Sequence, residues 1–122
     1  MLVASAAPGA QSRAYDAFEK TIRELQADIT SGATTSVELV RFYLRRIEAY
    51  DQAGPRLNAV IALNPRAEAV AAALDAERRK GRTRGPLHGI PVLLKDNLDT
   101  IDMPTTGGCL ALSGRLPRED AF

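Results

Sequence analysis

The residues best suited to take part in a chemical reaction lie at positions 84–108, where Gly- and Pro-rich turns surround one short apolar run. The run occupies positions 90–94 and ends at Lys95, which Asp96 and Asn97 follow directly. Rigid turns on both sides of a buried strand are a common way to hold functional groups in place. Open α/β sheets form binding crevices at the carboxyl ends of their strands, and Lys95 is expected at such an end.

Two interpretations of Lys95 remain open on the residues alone. Lysine side chains are mostly exposed, so Lys95 could simply be solvated where the strand ends. In the second interpretation, a crevice of low dielectric removes the proton from the ammonium group and leaves a base. Lowering the pKa of a lysine from about 10.4 to about 7–8 requires roughly 3–5 kcal/mol, which burial or a nearby cation could supply.

Other reactive groups in the chain are better explained as structural. Ser113 lacks the Gly-rich turn that is typical of a serine nucleophile. Cys109 is expected to be a buried, unreactive thiol because no cation is near it in the sequence. We expect His88 to form structural hydrogen bonds. No spacing of His, Cys, Asp and Glu predicts a metal site, and Gly107-Gly108 does not continue into a phosphate-binding loop.

Two helices are predicted near the start of the chain. The first stops at Gly32. The second begins at Thr35 or Ser36, because Thr35 and Glu38 form a capping-box pattern, and a Gly-Pro pair at 54–55 ends it. Both helices have apolar residues at helical spacing, namely Phe18, Ile22, Leu25 and Ile29 in the first and Val37, Val40, Leu44 and Ile47 in the second.

A third helix is predicted between two strands. Asn64 and Pro65 are residue types favoured at the N-cap and the first helical position, and Gly81 follows a cationic last turn. The apolar runs at 57–63 and 90–94 are expected to be buried parallel strands. The predicted fold class is therefore α/β, with N-terminal helices followed by a βαβ unit with a right-handed crossover. Because two strands alone are marginal in water, this unit is expected to be incomplete.

The composition is that of an ordinary globular domain. Of the 122 residues, 25% are charged and 45% hydrophobic, and the formal net charge is +1. This charge argues against a nucleic-acid partner or an anionic membrane surface, and no apolar run approaches the ~20 residues of a membrane span. The single cysteine excludes an internal disulfide and is compatible with the cytoplasmic location that we expect.

The two ends of the chain carry separate expectations. Residues 1–14 are expected to be a flexible N-terminus, with the remnant of a secretory signal as the alternative. Residues 15–122 are expected to form a partial domain. Near the end, Pro117, Glu119 and Asp120 are typical of the first turn of another helix, whose body does not follow.

The segment around Lys95 resembles a known family of enzymes. GPLHGIPVLLKDN followed by DMPTT is similar to the signature of the amidase-signature family, whose members hydrolyse carbon–nitrogen bonds in amides. Upstream segments resemble the N-terminal helices and first strand of that family in the same order, namely TSVELVRFYLRRIEAYD, LNAVIALNPRA and LDAERRKGRTRGPLHG. The resemblance runs from about Lys20 to the end of the chain. It implies the mixed-sheet fold of the family.

The resemblance also implies a mechanism, a Ser–cis-Ser–Lys triad in which Lys95 matches the lysine. Lys95 would act as general base toward the serine pair and then as general acid toward the leaving group. Asp96, Asn97 and Gly89 match positions expected to shape the loop around it. Both serines belong to a Gly/Ser-rich loop that has no counterpart here, so the isolated chain is expected to be inactive.

The implied substrate is a small linear amide, with no cofactor and no metal. An amidotransferase subunit is a close variant of the same hypothesis, since such subunits share the signature. The alternative from a different class is a non-catalytic module, either a truncated product or a remnant that acts only in association with another polypeptide. The oligomeric state stays open.

Overall fold

The computed structural model describes residues 15–121, so the predictions for residues 1–14 lie outside the described residues. Three α-helices account for most of the regular structure. A π-helical turn extends the second helix, and a single short 3-10 turn lies near the C-terminus. The α-helices are α1 (Ile22–Ser31), α2 (Ser36–Arg46) and α3 (Ala67–Arg79); the other two elements are the π-helix Ile47–Gln52 and the 3-10 helix Leu110–Leu112.

Local signals at both ends define α1. Thr21 accepts from the Glu24 N–H while the Glu24 carboxylate accepts from the Thr21 N–H, a reciprocal capping box. Gly32 ends the helix in a left-handed conformation, which confirms the predicted stop. Leu25 and Ile29 are buried as predicted. Phe18 and Ile22 are exposed, because Phe18 precedes the helix and Ile22 is its first residue.

The start of α2 confirms the predicted capping box of Thr35 and Glu38. A second contact, not foreseen, comes from α3, whose Asp75 carboxylate accepts the N–H groups of Ser36 (2.9 Å) and Val37 (3.2 Å). A carboxylate is favourable here because the free N–H groups carry the positive end of the helix dipole. The most buried apolar side chain is Leu39, at 0% exposure, and the predicted stripe omitted it.

The third helix begins two residues later than predicted. Its N-cap is Arg66 rather than Asn64, whose side-chain oxygen instead accepts from the Arg66 N–H at 2.8 Å in the preceding turn. The predicted end is confirmed, with basic residues in the last turn and Gly81 at φ +74° just beyond it.

The prediction of two strands is wrong. Within residues 15–121 the only β pairing is an isolated bridge between Thr100 and Met103, so the βαβ unit is not formed. Residues 57–63 and 90–94 have no helical or strand structure and mostly exposed side chains, with Leu93 at 78% exposure. A strand exists only where a neighbour satisfies its backbone, and neither segment has one among the described residues.

The predicted C-terminal helix is also not formed in residues 115–121. Asp120 does not cap a helix there, because its carboxylate accepts the N–H of Ile101 at 2.9 Å. In addition, the Ala121 N–H donates to the carbonyl of Asp99 at 2.8 Å. These bonds fold the end of the described chain back onto the loop that follows Lys95.

The core lies between α1 and α2. Its buried residues are Ala17, Leu25, Ile29 and Leu39, and Tyr15, Phe42, Tyr43 and Ile90 pack against them. Ile90 therefore joins the start of the segment that leads to Lys95 to the helical core. None of the helices in residues 15–121 is long and apolar enough to cross a membrane.

Candidate functional site around Lys95

Lys95 lies at the edge of an open groove of about 1030 Å³. One wall is a partly buried face of α2, and two others are the non-helical segments 57–64 and 91–98; Gly107 and Gly108 also line the groove. Most of the side chains along the groove are apolar, among them Val92, Leu93 and Leu94. The groove therefore offers a mostly apolar surface with two cationic side chains, Arg46 and Lys95, in its lining.

The Lys95 side chain is exposed, and no ion pair or side-chain hydrogen bond holds it within residues 15–121. The buried crevice that the base interpretation requires is not provided by the described residues. Only the Lys95 backbone is fixed, because its carbonyl accepts the N–H of Leu98 at 3.0 Å. The position of the ammonium group thus depends on how the chain is held on each side of residues 90–95, which we call the lysine segment.

After the lysine segment, the Asp96 carboxylate binds the loop formed by residues 105–108. One oxygen accepts the Thr106 N–H at 2.9 Å, and the other accepts the Thr106 hydroxyl and, at 3.3 Å, the Gly108 N–H. The Asp96 carbonyl also accepts the Gly107 N–H at 2.6 Å. We call this set of bonds the clamp.

The clamp stabilises the ionised form of its carboxylate. The hydroxyl of Thr106, and then its backbone N–H, hold the pKa of Asp96 below its usual value, because each bond favours the charged form. Asn97 is exposed and is not among the partners of Asp96. Of Asp96 and Asn97, two of the three residues predicted to shape this loop, only Asp96 makes these contacts.

Before the lysine segment, Gly89 is buried against the first turn of α2. It adopts φ +80°, a conformation that favours glycine, and a Cβ built on it would lie 2.1 Å from the Ser36 hydroxyl oxygen. The positive φ favours glycine, and any larger residue would also force the Ser36 side chain to move. We call His88 and Gly89 together the hub.

His88 is buried, at 5% exposure, and hydrogen-bonds through both ring nitrogens. Nε2 lies 3.0 Å from the Leu74 carbonyl oxygen of α3, and Nδ1 accepts the N–H of Arg84 at 3.2 Å. These contacts agree with the structural role expected of His88.

The other reactive groups do not gather around Lys95. Cys109 is exposed, so the expectation of a buried thiol is wrong. Its N–H donates to the Thr106 carbonyl in a turn, and the side chain is left uncovered by residues 15–121. Ser113 is exposed in the turn after the 3-10 helix. Among residues 15–121 no group of three His, Cys, Asp or Glu side chains could hold a metal ion.

Two carboxylates that organise the site were missed from the sequence. Asp75 caps α2 from 39 residues away, and Asp51 accepts the N–H groups of Ala59 (2.6 Å) and Val60 (3.4 Å) where the chain enters the wall of the groove. The bond from Ala59 is the main reason why the pKa of Asp51 is lowered. In the sequence, only their residue type could have indicated a structural role, because a buried Asp is uncommon unless it is paired.

Comparison with known proteins places this site in context. The family model named Amidase matches residues 38–122, which include all but the first two residues of α2, the groove walls, the hub and the clamp. The peptide amidase of Stenotrophomonas maltophilia is 53% identical, with a TM-score of 0.81 over 84% of this chain and 21% of its own.

Curated relatives agree with that match. A Schizosaccharomyces pombe protein assigned as an amidase is 44% identical over 105 residues, or 85% of this chain and 18% of its own length. A subunit of the glutamyl-tRNA(Gln) amidotransferase of Streptomyces coelicolor is 38% identical over 107 residues, or 87% of this chain and 21% of its own. The chain thus spans about a fifth of the length of these relatives.

Proposed function

The chain belongs to the amidase family, and from this premise we propose that it contributes Lys95 to an enzyme that hydrolyses the carbon–nitrogen bond of a linear amide. The observation that carries the proposal is the family match over residues 38–122, which includes the whole lysine segment. Its anchored position beside an apolar groove supports the proposal. A cytoplasmic location, and the extent of the family domain over residues 15–122, remain proposals alongside it.

In the proposed mechanism, Lys95 without its proton takes a proton from a serine pair as the nucleophilic serine attacks the amide carbonyl. It then returns that proton to the departing amine or ammonia. The clamp and the hub would hold the backbone on each side of Lys95, with Asp96 and Gly89 as positioning residues and Asn97 in the same loop. The serines and the donors for the oxyanion are not assigned to any residue of this chain, so we expect no turnover by it alone.

The proposed substrate is a small linear amide. Support comes from the peptide amidase, one structure of which holds the competitive inhibitor chymostatin. The apolar groove would suit the uncharged side chains of such a substrate, because burial of apolar surface is favourable. We propose that the enzyme uses neither a cofactor nor a metal and binds neither nucleic acid nor a membrane.

A second candidate function is a non-catalytic module that needs another polypeptide. The exposed apolar side chains along the groove favour it, since exposed patches of this kind commonly mark interaction sites. An amidotransferase subunit would combine both functions, and the relative in Streptomyces coelicolor supports that variant.

A chimera tests the catalytic proposal. The matching part of the Stenotrophomonas maltophilia peptide amidase is replaced by this chain, and hydrolysis of a peptide amide is measured. We expect an active chimera in which Lys95→Ala lowers kcat by about 10²–10⁴-fold, the usual contribution of a general base. Lys80→Ala is the matched control, because Lys80 is an exposed lysine just beyond α3, and it should leave kcat unchanged.

The outcomes separate the two candidate functions. Full activity of a folded chimera carrying Lys95→Ala would refute the assignment of Lys95. A chimera that folds, with native circular dichroism and thermal unfolding, but hydrolyses nothing would favour the non-catalytic module. Hydrolysis by the 122-residue chain alone, with Lys95→Ala inactive, would show that residues of this chain complete the triad.

A further inference from the structure

The turn that precedes the lysine segment contacts all three α-helices. From α1, the Gln26 side-chain amide donates to the carbonyl oxygens of Pro86 (2.8 Å) and His88 (3.0 Å). From α3, Arg78 donates to the His88 carbonyl at 2.8 Å, and the Leu74 carbonyl lies 3.0 Å from the His88 ring. From α2, Ser36 packs against Gly89. The hub is therefore the point where the helical core meets the chain that carries Lys95.

The environment of the His88 ring selects one tautomer. A carbonyl oxygen can only accept, so the Leu74 contact requires a proton on Nε2. A backbone N–H can only donate, so the Arg84 contact requires a bare Nδ1. Both bonds form together only in the neutral ring that is protonated on Nε2, and they join α3 to the start of the turn.

Lys95 has no comparable contact of its own within the described residues. Its side chain is exposed, and residues 92–94 are exposed as well. Residues 88–90 are held by hydrogen bonds and by the packing of Ile90 on the core, and the next hydrogen bonds along the chain are those of Lys95 and the clamp. The direction in which the lysine segment leaves the core is consequently set at the hub.

We propose that His88 is a positioning residue for Lys95, acting through its Nε2-protonated imidazole, which fixes the turn from which the lysine segment extends. The proposal rests on the proposed function of Lys95 as the base. His88 makes no contact with Lys95 in the structure, and its effect is transmitted through the backbone of residues 89–95.

The tautomer of the wild-type chain provides a direct test. His88 is the only histidine, so its long-range 1H–15N spectrum is free of overlap. We expect the two ring nitrogens to show the pattern of an Nε2–H tautomer at neutral pH. An Nδ1–H tautomer, or the averaged pattern of a freely solvated ring, would overturn the proposal without any variant having to fold.

Variants then test transmission to Lys95. The chain has three lysines, Lys20, Lys80 and Lys95, and reductive 13C-methylation gives each one a separate resonance, assigned with Lys95→Arg. Well below the unfolding temperature, His88→Ala should shift the Lys95 resonance and the amide signals of residues 90–96. The Lys20 resonance, fixed by the ion pair with Asp28, should stay in place.

Two conservative variants separate the two bonds of the ring. His88→Asn keeps an acceptor near the position of Nδ1, and His88→Gln keeps a donor near the position of Nε2. In each variant the Lys95 resonance should lie closer to its wild-type position than it does in His88→Ala. This partial rescue is not expected if the ring only fills space. If His88→Ala does not fold, the comparison of these two variants with wild type decides the question.

The result that would overturn the proposal is a Lys95 resonance identical to wild type in every folded variant. General destabilisation is excluded as an explanation, because it lowers the unfolding temperature without moving signals of the folded state. Failure here leaves the chimera experiment unaffected, since that experiment tests Lys95 and not the residue that positions it.

Discussion

The two ends of the lysine segment are held by different kinds of interaction. The hub is buried, hydrogen-bonds to α1 and α3, and packs against α2, where Gly89 faces the Ser36 side chain and no ionisable group takes part. The clamp is partly exposed and depends on one carboxylate that binds a loop ten residues further along the chain. Packing in a close-fitting core resists any change of volume, whereas a carboxylate loses its role when it gains a proton. We therefore expect changes at the hub to lower the stability of the whole fold and changes at the clamp to open only a loop.

The largest effect is expected for Gly89→Ala. The left-handed backbone and the overlap with the Ser36 hydroxyl together should lower the free energy of unfolding by roughly 2–5 kcal/mol. Chemical denaturation measures this value. Gly81→Ala is the matched control, because Gly81 also has a positive φ but open space around it, and it should cost only about 1–2 kcal/mol.

A double variant sharpens the same test. Ser36 is fully buried and its hydroxyl has no hydrogen-bond partner within the described residues, so Ser36→Ala should be tolerated. In that background Gly89→Ala should recover part of its lost stability, since the overlapping oxygen is gone. If Gly89→Ala and Gly81→Ala lower the free energy of unfolding equally, the close approach of Gly89 to α2 adds nothing to the destabilisation.

At the clamp, Asp96→Asn should have a smaller and more local effect. An amide can accept through one oxygen only, so some of the donors of Thr106 and Gly108 lose their partner. Hydrogen exchange of these amides should accelerate several-fold while the amides of α1 and α2 keep their protection. Asp99→Asn makes the same change of charge three residues away and should leave exchange unaltered; cooperative loss of helical protection in Asp96→Asn would contradict the comparison.

The smallest effect is expected from acid. Because hydrogen bonds from Thr106 hold the pKa of Asp96 below its ordinary value, the opened loop binds a proton more readily than the closed one. The contribution of the clamp to stability is therefore complete above the ordinary pKa of Asp and is lost as the pH falls through the lowered value. An NMR titration of the Thr106 amide from pH 6 downward measures this, and a midpoint at or above the ordinary Asp value would refute it.

The sequence predicted what local patterns determine. The capping box of Thr35 and Glu38 and the glycine ends of α1 and α3 depend on residues within one or two turns. The same capping pattern in Thr21 and Glu24 was readable and was missed. The strands at 57–63 and 90–94 were predicted from apolar runs alone, but a strand also requires a neighbour, which such runs do not specify.

The sequence indicated which residues belong to the site but not how they are arranged in space. The resemblance indicated Lys95, Asp96, Asn97 and Gly89, yet their roles beside the helices depend on contacts between distant residues. Asp75 meets Ser36 across 39 residues, and no periodicity or spacing in the sequence indicates that pair. The exposure of Lys95 likewise follows from which segments cover it, and the residues next to it do not determine that.

The bonds from Gln26 to the hub also impose an order on folding during synthesis. Gln26 is made 62 residues before His88, so at the usual 5–20 residues per second the ribosome needs about 3–12 s to supply its partner. During that interval α1, with only 10 residues, is shorter than the ~12–15 residues at which isolated helices become even marginal in water. Until then α1 depends on its packing against α2, and it gains its complete set of contacts only when the turn before Lys95 has been made.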